Sequence, residues 1–216
     1  MAEKLIALSF DDGRDQDFDV ITLFSFLHIP ATFYLTALNV SERKTYSHNY
    51  SVKEITDIYL QPGFEVGCHG YSHFDMEAGG NDPRRRIPEV IEARDSLEDL
   101  FITIDSYAFP YGKSTEEFAI WVSDFFESCR LYQTHYPWSV KKVWMPEGII
   151  TFDLLKFDPS KHVDGDVFLH FAGHAGDVLR LPKKDFFDWQ SRAKDNGWEF
   201  VTARDFYRRR KLCELP

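Results

Sequence analysis

Lys4-Leu5-Ile6-Ala7-Leu8-Ser9-Phe10-Asp11-Asp12-Gly13 is a short apolar run that stops at two acids and a glycine. Such a run closed by a turn signal reads as a buried strand. From Asp17 to Ile29, Phe18, Ile21, Leu23, Phe24 and Leu27 recur at helical spacing, and Pro30 ends the pattern. Ala31 to Thr36 is a second strand, rich in aromatic and branched residues.

The same alternation continues outward. Ser51 with Glu54 is a capping box opening a helix. Phe64 to Cys68 is a strand, Pro83 to Leu100 a long charged helix, and Ile104 to Phe109 a strand. Ser114 with Glu117 is a second capping box, for a helix through Phe126. Arg130 to Thr134 reads as a strand, and Pro137 to Pro159 is predicted to hold one or two short strands. Strand Val167 to Phe171, helix Pro182 to Asp195, strand Trp198 to Thr202 and helix Ala203 to Lys211 complete the chain. Strands alternating with helices, with no visible linker or repeat, predict an α/β fold built on a parallel sheet or barrel. Chemically capable residues gather just after the strands, where ligands sit in such folds.

The length of 216 residues fits one domain, 1–216. Twenty Phe supply a large core, and aromatic excess also suits a groove that stacks on sugar rings. A net charge of -10 disfavours nucleic acid and anionic membranes as partners. The basic clusters Arg84-Arg85-Arg86 and Arg208-Arg209-Arg210-Lys211 read as solvated faces. Cys68, Cys129 and Cys213 are odd in number and widely spaced, which argues for reduced thiols. No apolar run reaches the roughly 18 residues of a membrane span. The first strand leaves no room for a signal peptide ahead of it, so a cytoplasmic location is expected.

Four segments carry chemistry. Asp11 and Asp12 are adjacent at a strand end and cannot point the same way, so one can bind a metal while the other faces substrate as a base. Asp-Asp-Gly is also ordinary turn chemistry. An Asp-x-Asp phosphatase is excluded because Gly13 stands where the second Asp belongs. His69-Gly70-Tyr71-Ser72-His73 places two imidazoles four apart, able to share a zinc ion. The zinc-protease helix motif needs Glu after the first His, and Gly70 excludes it. In Ala108-Phe109-Pro110-Tyr111-Gly112 the turn could aim the Tyr111 amide at an oxyanion. His170 and His174 share strand parity; His174 lies nearer the other motifs and is the preferred functional residue, with Asp177 close enough to orient it.

In order and spacing, from about Leu5 to Thr202, these segments resemble the polysaccharide deacetylases, carbohydrate esterase family 4. Ser9-Phe10-Asp11-Asp12-Gly13 is similar to the family's Thr-Phe-Asp-Asp-Gly, and the His69–His73 segment to its His-(Ser/Thr)-x-x-His. The third segment is similar to Arg-x-Pro-Tyr and the fourth to its His-bearing last motif. The resemblance implies a distorted (β/α) barrel of about seven parallel strands and a hydrolase of N-acetylated sugars. It implies Asp11 as catalytic base, Asp12, His69 and His73 as ligands of a divalent metal, usually zinc, the Tyr111 amide at the oxyanion, and His174 as general acid. The chain departs from the family at Ala108, where the family has an Arg that pairs with the catalytic Asp; Arg14 and Lys113 are the candidates to replace it. The family's Asp-and-Trp motif has no clear counterpart, and Phe157-Asp158-Pro159 matches it poorly.

Three other functions stay open on the residues. Ala108 motivates a non-catalytic carbohydrate-binding relic, which the intact Asp11 opposes. The substrate could also be a non-sugar amide. A metal-dependent phosphoesterase would use the same acids and His, but the net acidity and lack of a basic pocket signal disfavour it. One carboxylate and two imidazoles also suit cobalt, nickel or iron.

Overall fold

The computed structural model describes residues 3–43, 45–46, 50–76, 82–131, 143–144, 148–149, 154–161 and 165–213. In chain order, β1 (Lys4–Asp12), α1 (Gln16–Leu27), β2 (Ala31–Leu35), α2 (Ala37–Glu42), α3 (Val52–Tyr59), β3 (Phe64–Cys68) and α4 (Pro83–Phe101) come first. Next come β4 (Ser106–Ala108), α5 (Glu116–Val122), β5 (Ser128–Arg130), β6 (Val143–Trp144) and β7 (Gly148–Ile149). The chain closes with β8 (Val167–Gly173), α6 (Ala175–Arg180), α7 (Lys183–Asp195), β9 (Glu199–Val201) and α8 (Ala203–Cys213).

Local chemistry explains the boundaries. His28 takes a left-handed conformation (φ 53) to end α1 ahead of Pro30. The Ser51–Glu54 capping box opens α3 as anticipated. The second box is corrected: Thr115, not Ser114, caps α5 by accepting from Phe118 N, and the helix stops at Val122 rather than Phe126. β5 starts two residues earlier than expected, and Thr134 lies outside the described residues. Helices α2 and α6 were not anticipated; each spans only six residues, too short for a periodic pattern to stand out.

All the strand pairs among the described residues are parallel. The sheet order is β6-β5-β4-β3-β2-β1-β8-β7. β1 gives one edge to β8, with Lys4–Phe10 opposite Val167–Gly173. Its other edge is divided, Leu5–Ala7 pairing with β9 and Ser9–Asp12 with β2. The end strands β6 and β7 are separated in sequence only by residues 145–147, a connection that reaches at most about 14 Å. The sheet therefore curls on itself into the expected distorted, partly closed barrel. Among the described residues, seven of its strands have three residues or more.

Strand parity sorts the core into two layers. Ile6, Leu8, Phe10, Phe33, Leu35, Val66, Cys68, Tyr107 and Phe109 face outward and pack on the helices. Phe10 meets Phe24 of α1 edge-on at 5.7 Å and stacks on Phe33 at 5.3 Å. Each such buried ring contributes about 1.5–3 kcal/mol.

The alternate residues line an interior that is unusually polar. Ser9, Thr32, Glu65, Ser106, Ser128, Arg130 and His170 are all buried. At the end away from the chemistry, Glu65 accepts from Thr32 Oγ1 (2.8 Å), Ser106 Oγ (2.7 Å) and the Arg204 amide (2.8 Å). Its carboxyl group thus meets the N-terminus of α8, which plugs the barrel with Phe206 and Ala203.

The basic clusters need a partial correction. Arg84 pairs with Asp82, Arg208 with Glu127, and Arg209 with Glu3 and Glu199. Arg86 is not solvated: it is buried, bonds Met76 O and sits over the Phe118 ring at 5.1 Å. Cys68 and Cys129 are buried thiols, and the Cys213 side chain lies outside the described residues. No described helix is long and apolar enough to cross a membrane.

Candidate functional site

Six side chains meet where the strands end: Asp11 and Asp12 from β1, His69 and His73 beyond β3, Arg130 from β5, and His174 beyond β8. This is the end of a parallel α/β sheet at which neighbouring strand termini leave room for a ligand.

Asp12, His69 and His73 each offer a ligand atom within 4.8 Å of the others. Nε2 of His69 and of His73 lie 3.5 and 3.2 Å from Asp12 Oδ1. That oxygen is buried and accepts no well-formed hydrogen bond. A buried anionic oxygen left without a donor is costly unless a cation meets it. The neighbouring ring is already prepared: His69 Nδ1 lies 2.7 Å from the carbonyl of Ala108 and donates to it, leaving the Nε2 lone pair facing Asp12. Burial alone raises the Asp12 pKa, but the imidazoles of His174 and His73 beside it and the field of His69 hold it well below the ordinary carboxylate value. Burial pushes the His69 pKa down, which favours the neutral ring a metal needs. The donor set, one carboxylate and two imidazoles, fits a divalent zinc-like ion.

The backbone is bent to make this set. Asp12 (φ 84) and His73 (φ 62) both occupy left-handed conformations, costly for residues with a Cβ. Asn39 of α2 holds the Asp12 carbonyl through Nδ2 at 2.9 Å. The first amides of α2 also grip the His loop: Ala37 N donates to Gly70 O at 3.0 Å and Leu38 N to Tyr71 O at 2.9 Å. Gly70 itself has φ 79, a conformation that Ser or Thr would adopt only at a cost.

Glu89 of α4 completes the loop. Its carboxylate accepts from Tyr71 N (3.0 Å), from Ser72 N (2.8 Å) and from the Ser72 hydroxyl. Sequence reasoning missed it, because one Glu on a charged helix carries no signal. Glu89→Gln turns an amide NH2 toward those donors, and zinc affinity is expected to fall about 10- to 100-fold. A chelator competition titration reads this directly.

Asp11 is held by Arg130. The two form an ion pair, and the Arg130 side chain is 1% exposed. Its guanidinium also lies over the Tyr34 ring, 5.0 Å from the centroid. Arg14, a candidate for the missing Arg, does not fill that place: it pairs with Asp12 instead. Arg130 stands directly opposite Ala108 in the β4–β5 register, so the cation has moved sideways by one strand. The signal was present in Ser128-Cys129-Arg130-Leu131, since a charge within a buried strand must have a partner.

The two late His residues are separated clearly. His170 is buried, 2.8 Å from Ser9 Oγ, and burial holds its pKa well below the ordinary value. His174 is half exposed, with Nε2 3.4 Å from Asp12 Oδ2 and Nδ1 3.6 Å from Asp177 Oδ2. The Asp177 carboxylate also accepts from the His174 amide at 2.8 Å. Hydrogen bonding to Asp12 raises the His174 pKa against the effect of burial. Tyr111 reaches the site from the short turn after β4; its backbone is left-handed (φ 57) and its ring packs on His73 at 4.5 Å. The weak Phe157-Asp158-Pro159 match stays outside the cluster: Trp189 and Trp198 bond the carbonyls of Phe157 and Pro159, and Asp158 faces Arg192.

The family model described as Polysaccharide deacetylase matches residues 1–124. A bifunctional xylanase/deacetylase of Pseudobutyrivibrio xylanivorans is 35% identical over 75 residues, which is 34% of this chain and 11% of that protein. The chain thus aligns with only about a tenth of that relative's length. Among solved structures, the CE4 domain of a multidomain xylanase from the hindgut metagenome of Trinervitermes trinervoides superposes with a TM-score of 0.68 at 18% identity, over 97% of this chain and 92% of that one. The peptidoglycan deacetylase PdaC from Bacillus subtilis gives 0.66 at 18% identity, over 98% and 94%. A CE4 family pseudoenzyme from Bacillus anthracis gives 0.66 at 14% identity, over 95% and 66%. At these identities the structural likeness is one of fold.

Proposed function

The chain belongs to the polysaccharide deacetylase family, and on that premise we propose that it removes the acetyl group from an N-acetylated sugar with the help of a divalent metal, zinc by donor chemistry. The observation that carries this is the meeting of Asp12, His69 and His73 around an undonated carboxylate oxygen, next to the Asp11–Arg130 pair.

Asp12, His69 and His73 would hold the metal, leaving coordination positions open. When bound, the metal supplies Lewis-acid polarisation of the amide carbonyl. Asp11, oriented by Arg130, takes the proton of the attacking water. The Tyr111 amide serves the oxyanion of the tetrahedral intermediate. His174, whose pKa is raised, gives its proton to the leaving amine as the C–N bond breaks. The products are a carboxylate and a free amine, and no acyl-enzyme forms.

Acetate release from N-acetylglucosamine oligomers tests the proposal. Activity is expected to vanish on exhaustive chelation and return on adding one equivalent of zinc. Undiminished release from metal-free protein would sink the metal requirement. Sugar binding without any acetate release would favour the binding relic instead.

A further inference from the structure

Beneath the metal-binding turn lies a carboxyl group that the proposed chemistry does not use. Asp17, in the first turn of α1, is fully buried. Its Oδ2 accepts from the Tyr59 hydroxyl at 2.6 Å and from the Arg14 amide at 3.2 Å. The Tyr59 hydroxyl is 3.2 Å from that of Tyr46, which in turn lies 3.4 Å from where a Cβ on Gly13 would stand. Asp17 Oδ1 has no hydrogen-bond partner among the described residues. Above this run, Arg14 turns its guanidinium back onto Asp12. The turn Asp12-Gly13-Arg14 thus rests on Asp17 at one point and abuts Tyr46 at another, while Thr45 Oγ1 holds the Gly13 carbonyl at 2.5 Å.

The groups around Asp17 come from three directions: Tyr59 from α3, Tyr46 from the segment ahead of it, and Arg14 and Asp12 from the turn and β1. Burial dominates and pushes the Asp17 pKa up to about 7; hydrogen bonds from Tyr59 and Arg14 oppose it, and the charge of Asp12 adds to it.

We propose that Asp17 is a positioning residue for the metal site: through the Arg14 amide it fixes the turn that presents Asp12, and in its ionised form it adds negative charge beneath the site and tightens cation binding. The proposal rests on Asp12, His69 and His73 being the metal ligands. A raised pKa keeps the acid neutral below about pH 7. A cation bound nearby favours loss of that proton, and by linkage loss of the proton favours the cation.

The test is the zinc dissociation constant, measured by chelator competition from about pH 5.5 to 8.5, for the native protein and Asp17→Asn. Protonation of the ligand imidazoles weakens binding at low pH in both proteins and cancels in their ratio. The ratio is expected to be near one at the acid end and to rise to about tenfold weaker binding by the variant at the alkaline end, a coupling of ordinary size. A ratio that stays constant with pH, whether at one or above it, overturns the proposal, because a merely disturbed turn loses affinity at every pH. Tyr59→Phe is the second variant, for use if Asp17→Asn does not fold. It keeps the acid but removes a donor to its charged form, so the pH at which affinity climbs is expected to shift upward; an unshifted curve overturns the proposal. Failure of the native protein to take up zinc at any pH would overturn the ligand assignment, and this proposal with it.

Discussion

Asp12→Ala is expected to lose bound zinc and acetate release together, whereas Asp11→Asn keeps its zinc and loses about three orders of magnitude in kcat. The two acids are neighbours on β1 but point to different partners: Asp12 toward His69 and His73, Asp11 toward Arg130. Removing Asp12 takes away the only anionic ligand of the set and leaves two neutral rings, too few to retain the ion against solvent. Removing the charge of Asp11 leaves the ligand set complete but abolishes the proton acceptor, a loss of about 10²–10⁴ in rate for a general base. Elemental analysis beside steady-state kinetics separates the two. Stoichiometric zinc and full turnover in Asp12→Ala would place the metal elsewhere.

Arg130→Ala is expected to be costly in both stability and rate. Breaking a fully buried ion pair from one side costs about 3–5 kcal/mol, and the loss here is expected to fall below that range because the remaining Asp11 carboxylate is only part-buried. The packing of the guanidinium on Tyr34 goes too. In kinetics, a base freed to turn away from the water it must deprotonate is expected to lower kcat by about 100-fold. The informative variant is the exchange, Ala108→Arg combined with Arg130→Ala. The two positions face each other across adjacent strands, about 4.8 Å apart, so a guanidinium returned to position 108 can reach Asp11. The exchange is expected to recover at least about tenfold of the lost kcat. Arg130→Lys is expected to recover less, since an ammonium lacks the planar face that lies on Tyr34. No recovery in the exchange would mean that Arg130 acts through more than its charge on Asp11.

The first strand, its helix and the two acids were legible because a buried parallel strand is nearly continuous in apolar residues and its end is chemically abrupt. The His pair was legible for the same reason, lying directly after β3. What was not legible depends on register. Whether Arg14, Lys113 or Arg130 serves Asp11 cannot be read from spacing along the chain, because the deciding neighbour lies across a strand boundary set by three-dimensional pairing. Arg130 ends β5 rather than opening it, which sets its side chain at the end of the sheet where the chemistry lies. Glu89 and Asp17 were hidden otherwise: each is one acid among many, and only burial and convergent donors distinguish them.

The divided edge of β1 also bears on how the chain is made. Lys4 pairs with Val167, and Leu5 with Glu199. During synthesis at about 5–20 residues per second, β1 therefore leaves the ribosome roughly ten to thirty seconds before its β8 partner exists. For that interval this apolar strand has only β2 to pair with, over Ser9–Asp12. Native contacts of such long sequence separation slow folding and prolong exposure of the unpaired edge. A nascent chain stalled before residue 167 would present Lys4–Leu8 as a sticky strand, the segment a holding chaperone would first be expected to grasp.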